Sequence, residues 1–334
     1  MSPIKRIHYL DLAKGILILL VVLHHFGSAF SRIGITSPFS YAIFSWQGIY
    51  TAFFMQCFFL VSGYCSTFET EWKLFFKKLI RQIIIPWMVF ELLQATFDAV
   101  YFSDFTWAKY KTFFFTEPCT TLWFLNALAF SKAVVYLLRR ATHNDIAILV
   151  ITLVMLVLAI ILNQLNIGHN PLAIRQSTGS CFFVALGYWL KKNPRLYDQL
   201  MKYSPYIYIP VFGLLLLLGL NIPVYTAMMN VSLRQLPLFI ILSVSGSFTL
   251  LRLCQVWNSN AVLEYFGKNS LIIYGLHFCP LYAFIVYYHA LILPDRLRQF
   301  LFFVLVVYVS ELITCVLLVK IFQSKYLRWI TGRI

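Results

Sequence analysis

The sequence of 334 residues is poor in charged side chains and poorer still in acidic ones. Only 12% of its residues are charged, and 12 Asp and Glu stand against 27 Lys and Arg. Hydrophobic residues make up 60% of the chain and the mean hydropathy is +0.78, which excludes a soluble protein of this size. No Pro-, Gly- or Ser-rich linker interrupts the apolar sequence. We therefore expect one membrane domain, residues 1–334, without an appended soluble domain.

Apolar runs of helical length recur along the whole chain, each close to the ~20 residues that a membrane-spanning helix needs. They lie at residues 7–27, 41–66, 79–101, 121–139, 145–163, 172–190, 204–220, 233–253, 269–289 and 299–320. The sequence thus predicts an all-α, polytopic integral membrane protein with about ten transmembrane helices.

Lysine and arginine are distributed unevenly between the two sides of this ten-span map. Eighteen of the 27 fall in segments on one side and five on the other, and four lie within or at the edges of spans: Lys14, Lys132, Arg175 and Arg234. Because cytoplasmic loops are enriched in Lys and Arg, both termini are expected in the cytoplasm, in a protein of the cell (inner or plasma) membrane. Topology accounts for the net charge of +15, and no nucleic-acid surface is expected.

The cysteines predict neither a disulfide framework nor a metal site. They lie mostly inside predicted spans, without paired spacing: Cys57, Cys65, Cys119, Cys181, Cys254, Cys279 and Cys315. Such cysteines are typical small packing residues. No metal is expected.

The first span carries ionisable residues, which cost on the order of 3 kcal/mol each near the middle of a bilayer and are functional by default. At roughly 100° per residue, Lys14 and His25 leave the same helix face, and Asp11 lies within about 40° of His25. His24 lies roughly 80° from Lys14 around the helix and is interpreted as a packing or outer-surface residue. A polar seam formed by Asp11, Lys14 and His25 is therefore expected to face the interior of the bundle.

Several motifs resemble the signature of membrane acyltransferase family 3, whose members O-acylate cell-surface glycans. That family carries a basic residue and a histidine on its first helix at the spacing of Lys14 and His25, with lysine here replacing the commoner arginine. The similar segments follow in family order: residues 9–15 and 21–25, 58–64, 78–81 before Pro86-Trp87, 122–125, 183–190, 263–270 and 274–277.

The resemblance implies transfer of an acyl group, with acetyl as the first expectation, from cytoplasmic acyl-CoA to a hydroxyl of a cell-surface saccharide or its precursor. His25 would be the general base or the acyl carrier, because imidazole serves both roles. Asp11 and Lys14 would adjust the electrostatic environment of the polar seam. Some family members append an extracytoplasmic domain, so a separate protein partner or a homo-oligomer is left open here.

Seven further residues are candidates for substrate binding, each with a structural alternative. Lys78 and Arg81 would meet the phosphates of coenzyme A or simply anchor the helix at the membrane. Ser62 and Tyr64 would bind substrate or flank a close helix contact at Gly63.

Trp123 would form a platform for a sugar or belong to an aromatic belt at the membrane surface. Arg175 and His277 would line the acceptor side or pair with buried acids, for which Glu91, Asp98 and Glu311 are the candidates.

Two other classes of function remain open at this point. A multi-pass transporter or flippase of a sugar, lipid or acyl group would use Asp11, Lys14 and His25 as a proton relay. A glycan polymerase or ligase would depend on a lipid-linked sugar. Exopolysaccharide, O-antigen, peptidoglycan and a small sugar all present hydroxyls and are all candidate acceptors.

Overall fold

The computed structural model describes residues 7–34, 39, 47–101, 122–165, 170–217, 231–292 and 296–332, and these residues form helices joined by turns and loops. The α-helices, numbered in chain order, are α1 (His8–Ile33), α2 (Gly48–Thr51), α3 (Phe54–Tyr64), α4 (Trp72–Leu79), α5 (Ile85–Tyr101), α6 (Trp123–Ala141), α7 (Asp145–Gln164), α8 (Ile174–Lys192), α9 (Pro194–Leu217), α10 (Leu236–Trp257), α11 (Ala261–Lys268), α12 (Ser270–Leu276), α13 (Phe278–Ile292) and α14 (Leu297–Phe322). No strand occurs in these ranges, so the all-α prediction is confirmed.

Five helical segments in the described ranges are long and apolar enough to cross a membrane: His8–Phe30, Trp72–Tyr101, Asp145–Gln164, Leu236–Trp257 and Leu297–Phe322. Helices α12 and α13, bent by 53° relative to each other, make a sixth when counted as one broken span. The other predicted spans correspond to α3, which has only 11 residues, and to the less apolar α6, α8 and α9. Residues 41–46, 121 and 218–220 of three predicted spans lie outside the described residues. A multi-pass membrane protein is supported, while ten spans and two cytoplasmic termini stay predictions.

Helices α4 and α5 continue into each other through a π-helical turn, Ile80–Ile84. Pro86 follows in the first turn of α5 and has no backbone N–H, so the α-helical hydrogen bond to residue 82 cannot form there. π-Helical turns are frequent at functional sites, and this one carries Arg81 and Gln82. A 3₁₀ turn, Arg328–Thr331, ends beside it, where Gly332 packs against the backbone of both residues.

Two glycines fix the position of α1 against α11. A Cβ atom on Gly15 would overlap the carbonyl of Leu263, and one on Gly267 would overlap the carbonyl of Asp11. Only glycine permits backbones to approach this closely. Because the contact includes residues 11 and 15, it sets the rotation of α1 and therefore the direction in which Lys14 points.

A close backbone contact through two glycines also joins α3 to α8. Gly63 packs on the carbonyl of Val184, and Gly187 packs on the carbonyl of Leu60. The sequence prediction of a close helix contact at Gly63 therefore describes its backbone correctly.

The ends of α6 and α8, each with two basic residues in its last turn, meet at one end of the bundle. Lys192 lies 3.0 Å from Glu69, and Arg139 lies 3.2 Å from Asp145. Partial burial raises the pKa of the Glu69 carboxyl, but hydrogen bonds from the hydroxyl of Tyr188 and the ammonium of Lys192 bring the pKa below its usual value. These contacts tie the loop after α3 to the ends of α6 and α8 and the start of α7.

The first turn of α1 lies at this same end, which we call the basic end. The hydroxyls of Tyr9 and Tyr197 are 3.0 Å apart, and the ring of Tyr197 packs on Tyr64 at 4.9 Å between centroids. The start of α1, the start of α9 and the end of α3 therefore converge. Positions along α1 from Lys14 to His25 lead away from the basic end.

We predict that Gly267→Ala lowers the free energy of unfolding by about 2 kcal/mol or more, because the added methyl group must push α11 away from α1. Thermal unfolding in detergent measures the change. Gly213→Ala is the matched control, since a Cβ there meets no atom within 4 Å and alanine favours a helix. Equal thermal stability of the two variants would contradict the close contact.

Candidate functional site

The structure brings together two histidines that are 252 residues apart in the sequence. Nδ1 of His25 on α1 lies 3.2 Å from Nε2 of His277, and the ring centroids are 4.9 Å apart. His277 is fully buried, whereas His25 is partly accessible. The ring of Phe278 packs edge-on against His25 at 5.2 Å. His25 is thus held from two sides by the start of α13 and the residue before it.

The hydrogen bonds of this pair indicate where the protons are. Nδ1 of His277 donates to the carbonyl oxygens of Ile273 and Tyr274, at 3.1 and 3.0 Å, because a carbonyl can only accept. Nε2 of neutral His277 is therefore an acceptor. Nδ1 of His25 lies 2.8 Å from the carbonyl oxygen of Val21 and must carry a proton, which it shares with Nε2 of His277.

Nε2 of His25 is consequently the unprotonated nitrogen of a neutral ring. No hydrogen bond from any described residue occupies it. An imidazole with one nitrogen held as a donor and the other presenting a free lone pair is arranged to accept a proton or to attack a carbonyl.

His277 reaches His25 because the helix breaks at that residue. Pro280 lies one turn later and has no N–H to donate to the carbonyl of Leu276, so the helical hydrogen-bond ladder is interrupted there. The chain bends by 53° between α12 and α13, and His277 occupies the joint. Broken helices of this kind in membrane proteins occur where the backbone is buried in protein or lines a cavity.

Asp11 and Lys14 form an ion pair on the seam predicted from helical periodicity. Nζ of Lys14 lies 2.6 Å from Oδ1 of Asp11, and Asp11 is buried. The charge of Lys14 is therefore compensated within α1. Lys14 also lines a cavity, whereas His25 does not.

This cavity has a volume of about 280 Å³ and lies between α1, α3, α6, α12 and the π-helical turn. Its walls are mostly apolar, with a few polar groups. The lining residues are Lys14, Ile18, Met55, Phe58, Val61, Ser62, Cys65, Gln82, Ile83, Phe124, Leu125, Leu128, Lys132, Ser270, Leu271 and Tyr274.

The cavity is elongated and changes character along its length. On α3 it extends from Met55 to Cys65, ten residues or about 15 Å of helical rise. Four helices each place a polar residue towards the basic end and an aromatic or aliphatic residue farther in: Lys14 before Ile18 on α1, Ser62 after Phe58 on α3, Lys132 after Phe124 on α6, and Ser270 before Tyr274 on α12. The cavity is therefore polar at the basic end and apolar at its inner end.

Tyr274 connects the inner end of the cavity to the histidine pair. Its ring lines the cavity, its backbone carbonyl accepts the hydrogen bond from His277, and its hydroxyl accepts one from the backbone N–H of Phe124 at 3.3 Å. His277 follows three residues later on the chain. One residue thus separates the cavity from the imidazoles.

The predicted basic pair lies beside the cavity rather than in it. Lys78 lies in the last turn of α4 and is exposed, and Arg81 lies in the π-helical turn next to Gln82, which lines the cavity. Their binding to the phosphates of coenzyme A stays a prediction. Their position near the polar end of the cavity is compatible with it.

Of the other predicted substrate-binding residues on α3 and α6, only Ser62 lines the cavity. Tyr64 packs on Tyr197 instead. Trp123 is 9% exposed and packs on Phe59 and Phe124. A belt residue facing lipid would be more exposed, so Trp123 belongs to the interior of the bundle.

Arg175 and His277 do not lie together. Arg175 lies in the first turn of α8 and donates to the side-chain oxygen of Asn163 at 3.4 Å. Asp98, one of its candidate partners, accepts from Nη2 of Arg32 at 2.9 Å. His277 pairs with His25 and with none of the acids proposed as alternatives.

His24 packs beside His25 among aromatic rings. Its ring lies edge-on to His25 and Phe54, with centroids 5.5 Å away in both cases, and to Tyr50 at 6.4 Å. This placement suits the packing role expected from the helical wheel.

The cavity contains residues that the sequence interpretation did not select, above all Lys132, Cys65 and Gln82. Lys132 was recognisable as a lysine inside a predicted span, a position that marks functional residues. Cys65 and Gln82 carried no such signal. Within the described part of the chain, no three His, Cys, Asp or Glu side chains are grouped so that they could hold a metal ion.

A family model matches most of the chain. The family model described as an acyltransferase domain, that of acyltransferase family 3, matches residues 7–319. No curated protein and no solved structure matches the chain. The matched range includes both histidines and all residues that line the cavity.

We predict that Asp11 and Lys14 are energetically coupled. Asp11→Asn and Lys14→Met should each destabilise the protein, because each leaves a charge without its partner in an apolar environment. The double variant should be more stable than the sum of the two changes implies, with a coupling energy of about 1–3 kcal/mol. Unfolding of all four proteins in detergent measures it, and strictly additive changes would show that the ion pair contributes nothing.

Proposed function

Because the chain belongs to acyltransferase family 3, whose model matches residues 7–319, we propose that this membrane acyltransferase moves an acyl group from acyl-CoA to a saccharide hydroxyl. The donor enters from the cytoplasm, and the acceptor is a cell-surface glycan or its precursor. Acetyl is the simplest acyl group that the small inner end of the cavity suits. The hydrogen bonds that leave Nε2 of His25 free carry this proposal.

His25 acts as the general base. Nε2 removes the proton of the acceptor hydroxyl while that oxygen attacks the thioester carbonyl. The tetrahedral intermediate then expels the coenzyme A thiolate, which takes the proton from the imidazolium of His25. The products are an ester and a free thiol, and the imidazole returns to its neutral form.

The apolar inner end of the cavity is the place for the acyl thioester. Phe58, Phe124 and Tyr274 exclude water there, which protects the thioester from hydrolysis and strengthens the electrostatic interactions of the reacting groups. The polar end, with Lys14 and the adjacent Arg81, faces the hydrophilic part of the donor.

His277 is a positioning residue. Its Nε2 accepts from Nδ1 of His25, which fixes the orientation of the imidazole and favours the protonated ring that forms during attack. The carbonyl of Val21 holds the same proton, so part of the orientation remains when His277 is absent.

We expect His25→Ala to reduce acyl transfer at least 10³-fold, because the proton acceptor is lost, without loss of folded protein. Transfer from radiolabelled acetyl-CoA to glycan, measured with purified protein in liposomes, tests this. His289→Ala is the control, since that ring packs on Phe303 and not on His25, and it should retain most of the activity. A transporter would move solute without forming an ester, and acyl transfer by His25→Ala would remove His25 from the mechanism.

A one-step transfer and a two-step transfer through an acyl-histidine differ in what accumulates. Single-turnover reactions without acceptor should leave His25 unmodified in the direct mechanism, as read by peptide mass spectrometry. An acylated His25 peptide that disappears on addition of acceptor would replace the direct attack by the covalent route.

We expect His277→Phe to lower kcat about tenfold or more while the KM for acyl-CoA stays within twofold, because the ring orients His25 and does not line the cavity. His289→Phe is the control, since His289 packs on Phe303 away from this pair. A merely structural role for His277 would change both constants together or reduce the yield of folded protein. Unchanged kcat would exclude the positioning role.

A further inference from the structure

Lys132 is the one lysine of the described residues that lines the cavity without a partner. No hydrogen bond or ion pair from these residues reaches its ammonium group, whereas Lys14, on the opposite wall, has Asp11 at 2.6 Å. An uncompensated ammonium in a largely apolar cavity is costly unless an anion binds beside it. The cavity therefore carries one net positive charge at its polar end.

The length of the cavity limits which anion this is. An extended chain advances about 3.5 Å for every three bonds, so the roughly twelve bonds from the phosphate ester oxygen of phosphopantetheine to its sulfur span roughly 14 Å. The cavity extends about 15 Å along α3 from Met55 to Cys65. A thioester at the inner end, next to Tyr274 and the histidine pair, therefore places the phosphate of the arm at the polar end, where Lys132 lies.

We propose that Lys132 binds the phosphate that joins the pantetheine arm of the donor to its nucleotide, and so sets the depth to which the thioester enters. This inference rests on the proposed function, since the donor is a coenzyme A thioester. Lys14, already neutralised by Asp11, contributes hydrogen-bond donors but little net charge. Lys78 and Arg81 lie outside the cavity and bind the nucleotide end of the donor.

Cys65 provides a reporter of occupancy that does not require catalysis. Its thiol lies at the polar end of the cavity, and it is the one cysteine of the described residues that is exposed. A ligand whose phosphate lies beside Lys132 should shield Cys65 from a maleimide. Residue-resolved mass spectrometry distinguishes Cys65 from the other cysteines.

The experiment compares two probes that cannot react with maleimide or turn over, S-methyl-4′-phosphopantetheine and S-methyl-pantetheine, which differ by one phosphate. In the wild-type protein the phosphorylated probe should protect Cys65 at a concentration at least tenfold lower. Lys132→Met, which keeps the length of the side chain and removes its charge, should abolish this difference and leave protection by the other probe unchanged. Lys132→Arg should retain it.

The matched control is Lys202→Gln, which removes an exposed lysine that does not line the cavity. It should behave like the wild-type protein. Lys132→Gln supplies a second neutral variant in case Lys132→Met does not fold, as judged by thermal unfolding.

Three results would overturn the assignment. The first is that the phosphate-dependent difference persists in the folded neutral variants. The second is that Lys132→Met weakens protection by both probes equally. The third is that neither probe protects Cys65 in the wild-type protein. The second result would show that Lys132 contacts the amide or thioester part of the arm. Phosphate-dependent protection without acyl transfer to any saccharide would instead refute the proposed function and leave the phosphate site intact.

Discussion

The close packing of α1 on α11 is the constraint on which the site depends. Gly15 and Gly267 allow the two backbones to touch, and this contact leaves α1 no freedom to rotate about its axis. A rotation of even 50° would turn Lys14 out of the cavity and His25 away from His277. Farther along α1, Phe26 and Phe30 pack into a second apolar cluster with Phe300 and Phe303, which holds the other half of the helix. The seam is thus fixed at both ends.

The break before Phe278 provides the other half of the site. The backbone of His277 keeps its helical hydrogen bonds to Ile273 and Leu281, but the two helices meet at an angle there. Pro280 leaves the carbonyl of Leu276 without its helical donor, and the chain bends by 53°. The bend places the second imidazole, and the carbonyls of Ile273 and Tyr274, which accept from Nδ1, set its tautomer. In turn that tautomer determines which nitrogen of His25 is free.

These features differ in how far the sequence predicts them. Helical periodicity predicts the shared face of Lys14 and His25, because residues on one helix need only local geometry. The pairing of His25 with His277 depends on how α12 packs against α1. No local sequence pattern predicts a contact between two residues that are 252 positions apart. The sequence predicts His277 only as a residue of the acceptor side or as a partner of a buried acid, and it gives no reason to pair it with His25. The sequence also predicts that the α3 motif either binds substrate or forms a close helix contact, and only the structure assigns these roles to different residues. Gly63 packs on α8, while its neighbour Ser62 faces the cavity.

The free-energy cost of placing the charge of Lys132 inside the bundle also follows from its surroundings. A lysine near the centre of a membrane helix costs about 2.5–3.5 kcal/mol on insertion scales. Lys14 avoids much of this cost because Asp11 lies one turn away, but Lys132 has no such carboxylate among the described residues. A ligand at one hundred times its Kd stabilises the folded state by about 2.7 kcal/mol, which is of the same size. A cavity that binds an anionic donor at cellular concentrations can therefore retain an uncompensated lysine at little net cost. A cavity that never binds one gains nothing from the charge, and an apolar side chain at position 132 would make the protein more stable.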